Sequence, residues 1–292
     1  MTTLFRLLAR VPLSLMHRLG ALLGWLVWWG SPGYRRRFRA NAAAAGLTPA
    51  QYQPAIASAG RALAELPWIW MRPQDESVLP RVVRWEGVPQ VEAALASGRG
   101  VIFVTPHLGS WELLGQAIAE RFVDAHGPMT ALYRPARKAW LTDLVAGSRD
   151  RRGLKMLPTS TTGVRGLMRA LRSGGYTGIL PDQVPPLGQG VWAPFLGRPA
   201  YTMTLVARLT QQTGAHVVLA VCERLAPGRG YAIRFVPWDG TAMSDPRATP
   251  EAAAQAMNEG IEHLIRQLPQ QYVWDYARYK EPRKDIAQEG VS

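Results

Sequence analysis

Residues 100–116 read Gly-Val-Ile-Phe-Val-Thr-Pro-His-Leu-Gly-Ser-Trp-Glu-Leu-Leu-Gly-Gln, and this stretch decides the fold. Residues 101–105 form a short apolar run rich in β-formers, typical of a buried strand in an α/β sheet. The chain turns at Pro106. A helix is predicted to begin near Ser110, a capping-type residue followed by apolar residues at helical spacing. His107 therefore follows the strand, at the edge where open α/β sheets bind ligands.

His107 and Glu112 are the first candidate catalytic pair. On a continuous helix five residues correspond to about 500° of rotation, which would put the two side chains on different faces. A turn at Gly109 makes the pairing possible, with His107 as a base and Glu112 as the carboxylate that orients it. The alternative is a hydrogen-bonded loop histidine and a Glu favoured by the helix dipole.

Strand-like and helix-like segments alternate along the rest of the chain. This alternation predicts an α/β fold with a single mixed or parallel sheet flanked by helices. Strands are predicted at 82–85, 101–105, 129–133, 176–180, 216–222 and 231–236, and helices at 88–97, 137–149, 163–173, 202–213 and 250–267.

The N-terminus is the most hydrophobic part of the chain. We predict a membrane-anchoring helix in residues 1–34, followed by an α/β domain in residues 35–292. The uninterrupted apolar part, residues 19–29, is about half of the roughly 20 residues that a span requires. Tryptophans at one end and the Arg-rich residues 35–39 favour a helix in one leaflet or a marginal span. A buried helix is the alternative, and a signal peptide is disfavoured because no small-residue cleavage site follows.

The composition calls for anionic partners. Lys and Arg number 34 against 21 Asp and Glu, which gives a formal net charge of +13. Arginine dominates, and its fork matches phosphate, although a coding bias toward Arg is an alternative. Nucleic acid is not indicated, because no nucleic-acid-binding pattern accompanies the charge. Cys222 is the single cysteine and the histidines lack metal-ligand spacing, so neither a disulfide nor a metal is implied.

Four ordered blocks carry a family resemblance. His107-Leu-Gly-Ser-Trp-Glu resembles the His-X4-Asp/Glu block of the glycerolipid acyltransferase superfamily, and its Gly-Ser-Trp-Glu part is similar to the lipid A biosynthesis (lauroyl/myristoyl) acyltransferase family. Tyr-Arg-Pro at 133–135, Pro-Asp-Gln at 181–183 and the aromatic-rich residues 271–280 follow in the expected order. The last block departs mildly, with Tyr279 where the family often has Phe.

The resemblance implies an enzyme that transfers a fatty acyl chain to a hydroxyl of a lipid A precursor, with acyl carrier protein thioester as donor and no cofactor. It also implies a place on the cytoplasmic face of the bacterial inner membrane. Coenzyme A as the carrier, and a phosphatidylinositol mannoside or lysophospholipid as acceptor, stay open. A catalytically silent, basic membrane-binding or nucleic-acid-binding protein is the alternative from another class.

The remaining candidates are substrate-binding residues. Arg134 ends a predicted strand, where it can reach an anionic substrate group or the oxyanion. Asp182 and Gln183 end another strand, and Asp182 can hold Arg134 or another guanidinium, or simply cap a turn. Arg278 can contact phosphate, but a cation stacked among its aromatic neighbours would look the same in sequence.

Overall fold

The computed structural model describes residues 2–133 and 151–283 of this 292-residue chain. The helices are α1 (Thr2–Leu8), α2 (Leu13–Gly30), α3 (Pro32–Ala44), α4 (Pro49–Tyr52), α5 (Pro54–Met71), α6 (Val88–Ala96), α7 (Trp111–His126), α8 (Thr161–Arg172), α9 (Leu205–Thr213), α10 (Thr241–Ser244) and α11 (Pro250–Gln267). The strands are β1 (Val82–Glu86), β2 (Val101–Val104), β3 (Met129–Tyr133), β4 (Leu154–Pro158), β5 (Tyr176–Ile179), β6 (Gly190–Phe195), β7 (Arg198–Met203), β8 (His216–Arg224) and β9 (Tyr231–Val236).

A central five-stranded sheet has the order β1-β9-β8-β2-β5. All neighbouring pairs are parallel except β8 and β9, which are antiparallel. The strands in the middle are apolar on both faces because helices cover both sides, and β2 is buried at every residue. The prediction of a mixed or parallel sheet flanked by helices is confirmed, but the prediction of a single sheet is wrong, because two smaller sheets are also present and the predicted strand at 129–133 belongs to one of them. Because β5 and β8 flank β2 and both run parallel to it, the carboxyl ends of the three strands lie at one edge of the sheet.

Two small sheets were not predicted from the sequence. Strands β3 and β4 pair in parallel, and β6 and β7 form an antiparallel hairpin. The predicted helix at 202–213 begins only at Leu205, because the preceding residues belong to β7. Pro194 and Pro199 face each other in the hairpin, and prolines argue against a strand when only sequence is read. The predicted helix at 137–149 lies outside the described residues.

The apolar N-terminus forms two helices, α1 and α2, because Pro12 lacks an N–H and stands at the start of α2. Helix α2 packs closely on α5, and we call this pair the N-terminal hairpin. The contact needs glycine: a Cβ on Gly60 would lie 1.9 Å from the carbonyl oxygen of Gly20, and one on Gly24 would lie 2.3 Å from that of Ile56.

None of the helices in the described part of the chain has the length and hydropathy of a membrane span. The first half of the chain instead exposes large apolar side chains on α1 and on one face of α2. These are Leu4, Leu7, Leu15, Leu19, Leu22, Leu23, Leu26, Val27 and Trp29, and we call them the N-terminal apolar face. The predicted boundary at residue 34 falls inside α3, and the division into two domains stays a prediction.

Candidate active site

Strand register brings His107 and Asp182 together. In the parallel pair of β2 and β5, Val104 lies opposite Ile179. Each strand then continues for three residues to the site, through a proline in both cases. Because the two strands run in the same direction, equal offsets from paired residues end side by side at the same edge of the sheet.

Asp182 makes two hydrogen bonds to the same histidine. Its Oδ2 accepts from the His107 backbone N–H at 2.9 Å, and its Oδ1 lies 2.8 Å from Nδ1 of the ring. The carboxylate can only accept, so Nδ1 carries the proton and Nε2 is the acceptor nitrogen of the ring. The carboxylate is 3% exposed and the imidazole 21%, so the ring is held from the interior and reached from outside.

The electrostatics of the pair favour its charged forms. Burial alone lowers the pKa of His107, but the charge and hydrogen bond of Asp182, together with the charge of Glu112, raise it above the ordinary value. Burial raises the pKa of Asp182, yet the imidazole, its hydrogen bonds and the charge of Arg278 lower it overall. The arrangement therefore stabilises the imidazolium that forms when Nε2 accepts a proton.

Nε2 of His107 faces outward, and among the described residues Gln183 is its hydrogen-bond partner. The exposed Gln183 amide nitrogen lies 3.1 Å from it and donates to it in this tautomer. The indole of Trp111 covers the imidazole, with ring centroids 5.2 Å apart. An incoming hydroxyl would replace the Gln183 amide at Nε2 and lie against Trp111, which is the geometry that a general base requires.

The sequence prediction gave the orienting role to Glu112, and the geometry corrects it. Helix α7 begins at Trp111, so Glu112 lies in its first turn, where Oε2 accepts from the indole N–H of Trp70 at 3.1 Å. Asp182 holds Nδ1 instead. Glu112 acts on His107 through its charge, and its part in catalysis stays a prediction.

Arg134 and Arg278 are the other two charged residues that were predicted to bind substrate. Arg134 lies outside the described residues, so its predicted contact with Asp182 is not seen. Arg278 is buried at 2% exposure, and its guanidinium donates to the carbonyl of Tyr201 and the hydroxyl of Thr202 while lying over the Phe195 ring. This position fits the stacked-cation alternative, and we assign Arg278 no direct contact with a substrate phosphate.

Two apolar cavities meet at the histidine. The first, of about 260 Å³, lies between the N-terminal hairpin and the site, and we call it the hairpin cavity; its walls include Leu23, Val27, Ala59, Gly60, Leu63 and Tyr276. The second, of about 610 Å³, lies between α7, the central sheet and β3–β4, and we call it the sheet cavity; its walls include Phe103, Met129, Leu132, Met156, Ile179 and Leu205. His107, Trp111 and Gln183 line both.

Residues 1–281 match the bacterial lipid A biosynthesis acyltransferase family. The chain belongs to that family. It is accordingly an O-acyltransferase, as its His-X4-Glu block predicts, and lipid A biosynthesis is the setting in which the family works.

Several known proteins are similar to this chain over more than half of its length. The lipid A biosynthesis lauroyltransferase of Escherichia coli is 28% identical over 227 residues, which cover 76% of this chain and 69% of that protein. A lipid A biosynthesis acyltransferase of Haemophilus influenzae is 27% identical over 277 residues, covering 92% and 82%. A phosphatidylinositol mannoside acyltransferase of Mycobacterium tuberculosis is 26% identical over 179 residues, covering 60% and 54%.

The sequence carries part of the signal for the pairing of His107 with Asp182. Val-Thr-Pro-His at 104–107 and Ile-Leu-Pro-Asp at 179–182 each place a polar residue directly after the proline that ends a buried strand. Both strands were predicted, and so was the position of each polar residue at a strand end. The missing information was which strands are neighbours, and that depends on long-range pairing.

Asp182→Asn tests the assignment of the orienting carboxylate. We expect kcat to fall by about 10²-fold or more, because the amide no longer fixes the Nδ1 proton or stabilises the imidazolium. The raised pKa of His107 should also fall, so the acid limb of the pH profile of kcat/KM should move to lower pH. Glu112→Gln should move it in the same direction by less and cost less activity. An equal loss in both variants would contradict the assignment.

Proposed function

We propose that this enzyme transfers a fatty acyl chain from acyl carrier protein thioester to a hydroxyl of a lipid A precursor. The observation that carries the proposal is the position of Nε2 of His107, which lies exposed where two apolar cavities meet. A reaction between two long-chain substrates needs room for two chains and one base at the point where they meet.

The reaction requires one proton to move through His107. Nε2 takes the proton from the acceptor hydroxyl as its oxygen attacks the thioester carbon. The tetrahedral intermediate then collapses, the carbon–sulfur bond breaks, and the imidazolium returns the proton to the leaving thiolate. Asp182 keeps the ring oriented and its charge balanced throughout. No acyl-enzyme is needed, because the substrate hydroxyl takes the place of a serine nucleophile.

Glu112 and Arg134 have supporting roles in this proposal. Glu112 adds negative charge near the imidazole, which favours the protonated intermediate. Arg134 follows β3, and we expect it to reach the anionic part of a substrate or the developing oxyanion. The Gln183 amide is hydrogen-bonded to Nε2 of His107 until the acceptor hydroxyl displaces it.

In this proposal each cavity holds the chain of one substrate. Leu23, Val27 and Leu63 line the hairpin cavity and are also exposed on the outer surface. A lipid held in a bilayer can therefore enter this cavity sideways without crossing water. We assign the acceptor chain to the hairpin cavity and the donor acyl chain to the larger sheet cavity, which lies on the other side of His107 between α7, the central sheet and β3–β4.

Membrane attachment through the N-terminal apolar face is part of the proposal. An exposed apolar surface made of so many large side chains marks an interaction site. Arg36, Arg37 and Arg39 are exposed just beyond it, where they would meet anionic headgroups. In this proposal the helices that carry the face lie in one leaflet, with their exposed apolar side chains toward the acyl chains. We infer that the enzyme works at the cytoplasmic face of the bacterial inner membrane.

A basic surface supports an acidic carrier protein as the donor. Residues 151–222 contain one carboxylate, the buried Asp182. Helix α8 has its arginines at 165, 169 and 172, which share one exposed face at helical spacing, and Arg208 is exposed on the adjoining α9. We call these four residues the α8–α9 basic face. Helix α8 begins beside the sheet cavity, to which Thr159 contributes.

A different glycolipid acceptor is the second candidate. It is favoured by the similarity to the mycobacterial phosphatidylinositol mannoside acyltransferase. The apolar cavities suit a chain of either lipid, so the acceptor headgroup has to be identified directly.

His107→Ala tests the reaction. Purified enzyme is given acyl carrier protein thioester and a lipid A precursor, and the product is identified by mass spectrometry. We expect the variant to lose a factor of about 10² to 10⁴ in turnover, the usual contribution of a positioned base. His263→Ala, on an exposed position of α11, is the matched control and should keep its activity. Normal turnover without His107, or acylation of a phosphatidylinositol mannoside alone, would refute the proposal.

Leu22→Gln with Leu26→Gln tests the membrane surface. Removing two apolar side chains from the N-terminal apolar face should weaken binding to anionic vesicles by at least about tenfold, since burying each is worth roughly 1.5–3 kcal/mol when complete. Val83→Gln with Leu187→Gln removes equally exposed apolar side chains elsewhere and should bind normally. Equal loss in both variants, measured by vesicle sedimentation, would argue against this attachment surface.

Arg165→Glu with Arg169→Glu tests the carrier surface. We expect KM for acyl carrier protein thioester to rise by about tenfold or more and to depend on salt, because like charges then face each other. The KM for the lipid acceptor should stay unchanged. Arg229→Glu with Arg247→Glu makes the same charge change at other exposed positions and serves as control. An unchanged KM for the donor would exclude the α8–α9 basic face as its docking site.

A further inference from the structure

A buried ion pair lies beneath the active site and takes no part in the proton transfer. Arg224, the last residue of β8, forms a fork with Glu65 of α5: Nε donates to Oε2 at 2.7 Å and Nη2 donates to Oε1. Both side chains are 2% exposed. The pair connects the central sheet to the N-terminal hairpin.

Further polar groups surround the carboxylate. The Tyr231 hydroxyl donates to Oε2 of Glu65 at 3.0 Å, and Nε2 of His17 on α2 lies 3.2 Å from the same oxygen. Burial raises the pKa of Glu65, but the charge of Arg224 outweighs it and lowers the pKa to about 2. Glu65 is therefore ionised at any physiological pH and holds a full charge against Arg224.

Stability alone is a weak reason for such a pair. Removing two ions from water costs several kcal/mol each, and apolar residues of similar volume often stabilise a fold equally well or better. Arg224 also contacts a group outside the ion pair. Nη2 also donates to the carbonyl oxygen of Gly109 at 3.0 Å, two residues after His107.

The turn at 107–110 is held in place by hydrogen bonds from its backbone groups to other segments of the chain. Hydrogen bonds to more distant segments run from His107 N to Asp182 Oδ2, from Val273 N to His107 O, from Gly109 N to Gln271 O and from Ser110 N to Cys222 O. Gly109 has a positive φ of 64°, and a Cβ there would lie 2.0 Å from the Cys222 carbonyl oxygen. The Arg224 guanidinium is the charged donor in this set, and Gln271 brackets it by bonding to both its backbone N–H and its C=O.

We propose that Arg224 is a positioning residue for the His107 turn and that Glu65 of α5 holds its guanidinium in place. The proposal rests on the proposed function, in which His107 must meet two substrates at a fixed point. Glu65 and His17 belong to the hairpin that carries the N-terminal apolar face and lines one cavity. The same ion pair thus fixes the position of the lipid-binding hairpin relative to the catalytic turn.

Arg224→Lys is the variant that tests the proposal. The ammonium can still pair with Glu65 but cannot donate at the same time, in fork geometry, to Gly109. We expect kcat to fall by about tenfold to hundredfold, the cost of a small misplacement of reacting groups, with KM for both substrates changed little. Tyr231→Phe is the matched control, because it removes one hydrogen bond to Glu65 and leaves every contact of Arg224 intact.

Both variants are expected to melt at a lower temperature than the wild type, and only Arg224→Lys should lose kcat per folded molecule. If the two variants lose kcat equally, or if Arg224→Lys lowers the melting temperature but keeps full kcat, Arg224 is merely structural and the proposal is wrong. Glu65→Gln is the second variant should Arg224→Lys fail to fold. Its amide keeps the size of the side chain but loses the charge, and the same criterion applies.

A measurement without substrate separates this proposal from the proposed function. The pKa of His107, read by NMR of ¹⁵N-labelled imidazole, should fall toward its ordinary value in Arg224→Lys, since a relaxed turn loosens the contact with Asp182. It should be unchanged in Tyr231→Phe. A wild-type enzyme that transfers no acyl chain would defeat the proposed function while this shift still supports the positioning role. An unshifted His107 pKa would overturn the positioning role even in an active enzyme.

Discussion

The double contact between His107 and Asp182 constrains the rest of the structure. One carboxylate binds both the backbone N–H and the ring of the same histidine, which fixes the position of the turn and the direction of the ring together. This requires β2 and β5 to be neighbours, parallel and in register, because a one-residue slip would carry the two side chains to opposite faces. The pairing of the central strands is thus needed to form the site as well as the core.

The turn after β2 has little freedom left once this contact is made. It must pass under β8 at a distance that excludes a side chain at Gly109, and it must then enter α7 within two residues. A tight buried turn exposes backbone groups that need partners. Here the partners come from Asp182 after β5, from β8 and from residues 271–273, which explains why segments so distant in sequence end next to each other.

The sequence predicted the elements that obey local rules. Residues 129–133, 231–236 and 250–267 were bounded correctly, because alternation and capping are local. It failed where tertiary pairing decides. The β6–β7 hairpin carries two prolines that its own strand pairing tolerates, and Asp182 took the place of Glu112 because strand neighbours cannot be derived from spacing. The burial of Arg278 was not predicted for the same reason. The sequence shows the aromatic residues around Arg278, but it does not show that they lie in the interior.

Small residues on α5 link packing to the cavity. Gly60 lets α2 approach closely, and because Ala59, Gly60 and Ala62 have almost no side chain, the space beside them stays open as part of the hairpin cavity. Larger residues would both separate the helices and fill the space. Five residues beyond Gly60, Glu65 lies on the same helix and pairs with Arg224. On our proposals, one helix therefore shapes the acceptor's route, presents Leu63 to the bilayer and supports the turn that carries the base. A substitution that displaces α5 would therefore disturb both the cavity wall and, through Glu65 and Arg224, the support of the catalytic turn.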